Sequence, residues 1–99
     1  SIKKDAEKNN KQLSYTEKKE LDRKIRKLEN QIEIKEKEIK ALELKINECE
    51  QKISQADEKV LSDYQWFLAY EKMKEELNIL YEQWNQFSEE LDILLDQKK

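Results

Sequence analysis

The chain has 99 residues, of which 43% are charged and 36% hydrophobic, and its net charge is −3 at pH 7. It contains neither Gly nor Pro, the residues that supply most tight turns in compact domains. Such a composition argues against a globular fold and predicts long helices. Strict apolar periodicity, described below, argues against disorder for most of the length.

The composition also excludes several classes of function. There is no His, and the single Cys49 cannot build a thiolate zinc cluster or an internal disulfide. Without Gly the chain cannot form a Walker loop or a dinucleotide fingerprint. It has no apolar run near the roughly 18 residues of a membrane span, and no signal-peptide core. We therefore expect a cytoplasmic chain with no catalytic site, metal, cofactor or membrane partner of its own.

Residues 1–12 are polar and lack periodicity, which predicts a basic flexible linker or arm. A helix start follows, where Ser14 and Glu17 form an S-x-x-E capping box. Beyond it the apolar residues fall into heptads, with Lys35 as the one charged exception. Positions a are Ile25, Ile32, Ile39, Ile46 and Ile53, and positions d are Leu21, Leu28, Lys35, Leu42 and Cys49.

A second apolar seam follows later in the chain, out of phase with the first. It consists of Tyr70, Met73, Leu77, Leu80, Trp84, Phe87, Leu91 and Leu94. The change of phase requires a break between residues 54 and 66. Two helix-restart signatures lie there, Ser54 with Asp57 and Ser62 with Gln65, and the sequence does not choose between them.

These patterns predict an all-α fold, a two-helix antiparallel coiled-coil hairpin over residues 13–97. Helix 1 is expected at about 14–54, the tip at about 55–62 and helix 2 at about 58–97. With residue 56 as the pivot, the numbers of facing core residues should sum to 112. A parallel intermolecular coil is the rival, since Ile at a and Leu at d suit parallel dimers. The phase break and the aromatic-rich second seam favour a monomeric hairpin.

Several predicted core residues are of types that could also have another role. Lys35 either snorkels its ammonium group outward or determines register and oligomeric state, and the first is favoured. Cys49 is expected to be a small core hydrophobe. Trp66, Trp84 and Phe87 could be stacking platforms for bases, but their heptad-like spacing favours core positions.

Positive charge is concentrated at the start of the chain. Residues 1–28 hold ten basic and five acidic residues, whereas the remainder carries a net charge of −8. A basic arm on an acidic chain is typical of a phosphate-binding surface. The candidate nucleic-acid contacts are Lys3, Lys4, Lys8, Lys11, Lys18, Lys19, Arg23, Arg26 and Lys27. Hairpin pairing should also bring acids of helix 2 beside them and neutralise part of this charge. Those acids are Glu82, Glu89, Glu90, Asp92 and Asp96.

Two segments resemble a known family. The first, KQLSYTEKKELD at 11–22, resembles the K-x-L-S-Y-x-E-x-x-E-L-E opening of the C-terminal domain of ABC-F ATPases, particularly the Uup branch. The second, LYEQWNQFSEEL at 80–91, is similar to the closing L-Y-x-x-W-x-x-L-x-x-L pattern of that domain. Phe87 stands where that pattern usually has Leu. The resemblance extends over residues 11–95.

The resemblance implies the C-terminal domain of a soluble, ABC transporter-related ATPase with two ATP-binding cassettes. The ATP and Mg sites of such a parent lie outside this chain, and its cassettes are the implied protein partners. In the Uup branch the hairpin looks like a DNA-binding coiled coil, and other members act on ribosomes. The implied function is a non-catalytic appendage that contacts DNA or ribosomal RNA. The alternative is a structural spacer or protein–protein interaction arm that binds no nucleic acid.

Overall fold

Two long helices and one short helix make up the fold in the computed structural model, which describes residues 13–99. Helix α1 spans Tyr15–Ser54, α2 is a four-residue helix at Glu58–Leu61, and α3 spans Tyr64–Lys98. The apolar faces of α1 and α3 pack against each other. The described residues therefore form an all-α helical hairpin, which confirms the predicted fold class.

The helix bounds differ from the expected ones at the tip. Helix α1 begins and ends within one residue of the expected 14–54. The second long helix was expected from about residue 58, but α3 begins at Tyr64 because residues 58–61 form the separate helix α2. The predicted basic arm, residues 1–12, lies outside the described residues.

Helix α1 begins with half of the predicted capping box. The Ser14 hydroxyl oxygen accepts a hydrogen bond from the Glu17 backbone N–H at 3.1 Å. The Glu17 carboxylate in turn accepts from the Ser14 hydroxyl at 3.1 Å. A full capping box would instead send that carboxylate to the Ser14 backbone N–H. The cap still satisfies one of the N–H groups that the first turn leaves without a helical partner.

Helix α1 ends in a Schellman motif built without glycine. The Asp57 N–H donates to the Lys52 carbonyl at 3.3 Å, and the Ala56 N–H donates to the Ile53 carbonyl at 3.0 Å. This pattern requires a left-handed residue at the position of Ala56, whose φ is 53°. The Cβ of alanine makes that conformation unfavourable by roughly 1–2 kcal/mol. The tip therefore holds local strain at one residue.

The two restarts of the chain are capped by aspartates. Asp57 Oδ1 accepts from the Lys59 N–H at 3.1 Å at the start of α2. Asp63 Oδ1 accepts from the Trp66 N–H at 3.2 Å at the start of α3. Neither predicted serine signature caps a helix, because Ser54 still belongs to α1 and the Ser62 hydroxyl bonds back to the α2 carbonyls. Aspartate fills both cap positions instead.

The burial pattern confirms both predicted seams. All ten a and d positions of α1 and all eight seam positions of α3 are buried or half-buried. Among the described residues, only a few apolar side chains are buried. These are Leu21, Ile25, Leu28, Ile39, Ile46, Val60 and Tyr70. The core is thus a single layer of side chains between two helices, open to solvent along both flanks.

The described residues divide into two compact units. The first, called the base unit here, comprises residues 13–32 and Gln86–Lys99, and the second, the tip unit, comprises Glu33–Asn85. In the base unit, Lys98 Nζ lies 2.8 Å from Asp22 Oδ1. This contact joins α1 to α3 and shows which residues of the two helices lie at the same level in the base unit.

Three polar contacts report the register of the tip unit. Glu36 accepts a hydrogen bond from Trp84 Nε1 at 3.2 Å. Glu43 accepts from the Tyr81 hydroxyl at 3.0 Å, and Glu50 accepts from the Tyr70 hydroxyl at 3.2 Å. All three acceptors lie on α1 and all three donors on α3. In each of these pairs the two residue numbers sum to 120 or 124. The residue numbers of the base-unit pair, Asp22 and Lys98, also sum to 120.

The predicted register, with facing numbers that sum to 112, is therefore wrong by about one heptad. The apolar pattern cannot detect this error, because a seven-residue slide again places every a residue opposite a d residue. Helix α2 accounts for the slide. It lengthens the connection between Ser54 and Tyr64 and moves the pivot from residue 56 to about residue 60. Ile39 then lies at the level of Leu80 instead of Met73.

Lys35 occupies its predicted seam position with the charge directed outward. Its side chain is 22% exposed, and its ammonium group lies 3.6 Å from the Glu38 carboxylate one turn away. A seam lysine that reaches an exposed carboxylate packs its stem and keeps its charge hydrated. This geometry favours the snorkelling interpretation.

Replacing Ala56 with Gly should stabilise the chain by about 0.5–1 kcal/mol, since Gly adopts positive φ without a steric penalty. Chemical denaturation monitored by circular dichroism would measure the change. Ala41→Gly is the matched control, because Ala41 is exposed within α1 and its replacement should destabilise by about 1 kcal/mol. Equal destabilisation by both variants would contradict the strained Schellman position.

Replacing Lys35 with Leu should raise the melting temperature, because a fully apolar side chain then fills the seam. The free energy of unfolding should rise by about 1 kcal/mol. Lys37→Leu, at a side chain that is 76% exposed, should give no comparable gain. Sedimentation of the Lys35→Leu variant tests the other interpretation. A strictly monomeric variant would rule out a role for Lys35 in oligomeric specificity, whereas self-association would support that role.

Candidate nucleic-acid interface

The predicted contact residues divide into those the structure describes and those it does not. Lys3, Lys4, Lys8 and Lys11 lie outside the described residues. The remaining five lie on the first four turns of α1, and all five are exposed. They are Lys18, Lys19, Arg23, Arg26 and Lys27.

Three of the five share one outward face of α1. Lys19, Arg23 and Arg26 are spaced four and three residues apart, which places them in one row along a helix. Leu21, Ile25 and Leu28, which are buried, fix the opposite face against α3. The row therefore projects to solvent, and we call Lys19, Arg23 and Arg26 the basic row.

The side chains of the basic row make only weak contacts within the protein, which a phosphate group can replace. Arg23 lies 3.0 Å from Glu20 in a pair whose side chains are 74% and 50% exposed. The Lys19 ammonium sits 5.1 Å from the centre of the Tyr15 ring. Exposed contacts of these kinds are worth about 1 kcal/mol or less. Within residues 13–99, no carboxylate lies within 4 Å of the Arg26 guanidinium.

Lys18 and Lys27 point away from the basic row. Lys18 borders an indentation that also receives Lys98 and Lys99 from the end of α3. Lys27 borders a groove between the helices, together with Lys24, Phe87 and Glu90. The structure thus distributes the five described candidates over three places, because their heptad positions differ.

Sequence reasoning missed Lys98 and Lys99 as members of a basic surface. Lys98 pairs with Asp22 at 2.8 Å and Lys99 with Asp96 at 3.3 Å. Both lie beside Lys18 because antiparallel helices bring the start of one helix to the end of the other. The signal was present in the sequence, since any hairpin register near the observed one places residues 98 and 99 there.

Acids of α3 were expected to neutralise part of the positive charge at the start of α1, but the structure shows a different arrangement of ion pairs. In the described base unit, the ion pair between the helices joins a lysine of α3 to an acid of α1. Glu90 shares the groove of Lys24 and Lys27 without lying within 4 Å of either ammonium group. The acids Glu89 and Asp92 are exposed. The basic row is therefore left without ion pairs from α3.

Of the aromatic residues considered as stacking platforms, Trp84 and Phe87 belong to the second seam and Trp66 lies four residues before it. Trp66, Trp84 and Phe87 are half-buried. The Trp66 ring stacks on Tyr70 with centres 5.8 Å apart and an angle of 15° between the planes. The Trp84 indole is engaged by Glu36. Their favoured assignment as core residues is confirmed.

A second surface with distinct chemistry runs along one flank of the tip unit. Glu36, Glu43 and Glu50 recur every seven residues on α1 and accept the three aromatic hydrogen bonds described above. We call these three residues the glutamate row. Within residues 13–99, no lysine or arginine nitrogen lies within 4 Å of their carboxylates. The three carboxylates therefore have no ion-pair partner among the described residues, although Lys40 borders Glu36 and Glu43 and Lys74 interacts with the charge of Glu50.

The glutamate row perturbs the phenols that bond to it. Donation of the Tyr81 hydroxyl to Glu43 raises the pKa of that phenol. Burial raises the pKa of Tyr70, and the negative charge of Glu50 adds to this effect. The Lys74 ammonium, which sits 4.8 Å from the centre of the Tyr70 ring, acts in the opposite sense on the Tyr70 pKa. Each carboxylate therefore favours the protonated phenol that donates to it.

The part of the chain that the structure describes has neither a cluster of metal ligands nor a membrane-spanning helix. Among residues 13–99, no three His, Cys, Asp or Glu side chains are grouped so that they could hold a metal ion. None of the described helices is long and apolar enough to cross a membrane.

Comparison with known proteins found no match to the chain among family models, curated proteins or solved structures.

Stability should fall above about pH 10, where phenols of the unfolded chain lose their protons. The folded state holds the Tyr70 and Tyr81 protons to higher pH, so unfolding releases protons there. The phenol contribution is complete below pH 10 and is lost as pH rises through the raised folded pKa values. Urea denaturation at a series of alkaline pH values would measure the fall.

A double variant, Tyr70→Phe with Tyr81→Phe, should lose part of this alkaline fall. Lys74, whose pKa is raised chiefly by its hydrogen bond to Glu71, keeps that bond in the double variant and loses only the smaller contribution of the Tyr70 charge. Tyr64→Phe is the control, since the Tyr64 side chain is 73% exposed. An unchanged pH dependence in the double variant would contradict the role of the two hydrogen bonds.

Proposed function

We propose that this chain is a non-catalytic, nucleic-acid-contacting coiled-coil appendage of a soluble ABC-F ATPase. The observation that carries the proposal is the basic row. Lys19, Arg23 and Arg26 project from one exposed face of α1, and α3 supplies no ion pair to them. Cations arranged in this way bind phosphates by releasing counterions, independently of base sequence.

The dimensions of the basic row suit a polyphosphate backbone. Its three charges span eight residues of helix, or about 10 Å from the first to the last at 1.5 Å per residue. Successive phosphates on one strand advance about 3.4 Å along the duplex axis, so the row spans several of them. Lys18, Lys98 and Lys99 add positive charge beside the start of α1. Both DNA and ribosomal RNA offer such a backbone.

The assignment to an ABC-F parent rests on the two sequence segments at 11–22 and 80–91. It supplies the proposed partners, which are the parent's own ATP-binding cassettes and either DNA or ribosomal RNA. ATP and Mg would bind in the cassettes of the parent. A cytoplasmic location fits such a parent.

The alternative proposal is a structural spacer or a protein–protein interaction arm. One observation favours it. Residues 13–32 and Gln86–Lys99 together hold eight basic and eight acidic residues, so the described base unit has no net charge to attract nucleic acid from a distance. Under this alternative the basic row contributes only solubility.

Reversal of the basic row should separate the two proposals. A variant with Lys19→Glu and Arg26→Glu should bind duplex DNA or structured RNA at least about tenfold more weakly at low salt, because two phosphate contacts become repulsive. Its salt dependence should also be shallower, by roughly 0.9 in the log–log slope for each lost contact on DNA. Fluorescence anisotropy with a labelled duplex and a labelled hairpin RNA would measure both quantities.

Lys45→Glu with Lys72→Glu is the matched control. Both lysines are exposed in the tip unit, and their reversal changes net charge by the same amount. The proposal predicts that this variant binds much more tightly than the basic-row variant. Equal weakening would indicate a nonlocal charge effect. Failure of the unmodified chain to bind either nucleic acid at about 50 mM salt would refute autonomous binding and favour the alternative.

A further inference from the structure

We propose that the glutamate row and the groove beside it bind a cationic α-helix of a partner protein. The occupant we infer carries Lys or Arg at seven-residue spacing and presents an apolar or arginine side chain to the groove. This site lies in the tip unit and uses none of the residues of the basic row. The inference stands or fails independently of the proposed contact with nucleic acid.

The groove has an apolar floor and a charged edge on which carboxylates outnumber ammonium groups by three to two. Ile39 of α1 and the rings of Tyr81 and Trp84 of α3 line its floor, and its volume is about 410 Å³. Glu36 and Glu43 line it from the same side of α1. Such a combination suits a Lys or Arg side chain of a partner, because its aliphatic stem can pack on the rings while its charged group contacts a carboxylate.

Hydrogen bonds hold the two carboxylates at the groove. Glu36 accepts from Trp84 and Glu43 accepts from Tyr81, so each carboxylate is turned toward α3. Lys40, which also borders the groove, has no carboxylate within 4 Å among residues 13–99. Lys37, the other bordering lysine, pairs with Glu33 at 3.4 Å. The lining therefore holds three carboxylates and two ammonium groups, a net charge of −1, and the carboxylates of Glu36 and Glu43 make no ion pair within residues 13–99.

The periodicity of the row indicates a helix as the occupant. Glu36, Glu43 and Glu50 succeed one another every seven residues, or about 10 Å along α1. A third helix laid alongside α1 repeats its own side chains with the same period, so cations at every seventh residue could meet all three. The unit as a whole favours such a partner, since Glu33–Asn85 holds thirteen acidic and eight basic residues.

Charge also decides between protein and nucleic acid at this surface. Three carboxylates without a cation within 4 Å among the described residues repel a phosphate backbone and attract a basic peptide. Aromatic rings in the groove could stack on bases, but Trp84 and Tyr81 are both engaged by the glutamates. The surface therefore fits a cationic helix.

The probe for this site is a labelled three-heptad peptide with Arg at every seventh position and Leu on its adjoining face. Fluorescence anisotropy with the full 99-residue chain should show saturable binding that weakens as salt rises. A peptide with Glu at the Arg positions should not bind. Equal binding of both peptides would indicate apolar association alone and overturn the proposal, as would the absence of any binding.

Variants that replace glutamate with glutamine remove the negative charge from the groove but keep the hydrogen bonds between α1 and α3. They therefore test whether the peptide binds at the groove. Glu36→Gln with Glu43→Gln keeps an amide oxygen to accept from Trp84 and Tyr81, and circular dichroism would verify folding. This variant should bind the Arg peptide at least about tenfold more weakly. Glu48→Gln with Glu75→Gln is the matched control, since both residues are exposed in the tip unit and lie away from the groove. It should change the affinity by less than about twofold.

Two outcomes of the variant comparison would contradict the site. Equal loss in the groove variant and the control variant would mean that general negative charge, instead of this groove, attracts the peptide. Duplex DNA that displaces the peptide, and does so more strongly in the variant with Glu36→Gln and Glu43→Gln, would show that the groove accepts nucleic acid. The proposal predicts that excess DNA leaves peptide binding to the groove unchanged when the basic row is reversed.

Discussion

The register between α1 and α3 is the constraint on which the rest of this structure depends. Apolar layers supply most of the stabilisation, at about 1.5–3 kcal/mol for each well-buried large side chain. They leave the register open, because a slide of seven residues keeps a opposite d. Polar contacts distinguish the alternatives. Acids recur at every seventh residue of α1 from Asp22 to Glu50, and four of these five accept hydrogen bonds from α3 in the described hairpin.

This division of roles explains what could be predicted from the sequence. Heptad periodicity predicts which residues enter the seam, since burial depends only on the face a residue occupies. The tip was less predictable, because its left-handed position is occupied by Ala56, where glycine would be the usual signal. The short helix Glu58–Leu61 then set the pivot. A row of acids facing aromatic donors was the available sign of the register.

The candidate interface follows from helix geometry in the same way. A cluster of cations in the sequence becomes a surface only where its members share a face. Lys19, Arg23 and Arg26 do so, whereas Lys18 and Lys27 occupy other heptad positions and lie beside the helix interface. Composition identifies the basic segment, and its contact with nucleic acid stays a prediction. Composition could not locate Lys98 and Lys99, whose relation to Lys18 exists only after the chain folds back.

Fixing the register and attracting a partner require different properties of the same glutamates. An acceptor oxygen suffices to bond Trp84 or Tyr81, and an uncharged amide provides one. The negative charge is therefore in excess of what the fold needs at Glu36 and Glu43. The hydrogen bond to Glu43 raises the pKa of Tyr81, and the charge of that carboxylate adds a smaller contribution. Glutamate at every seventh residue from Glu36 to Glu50 thus fixes the register of the tip unit and also supplies the carboxylates of the proposed partner site.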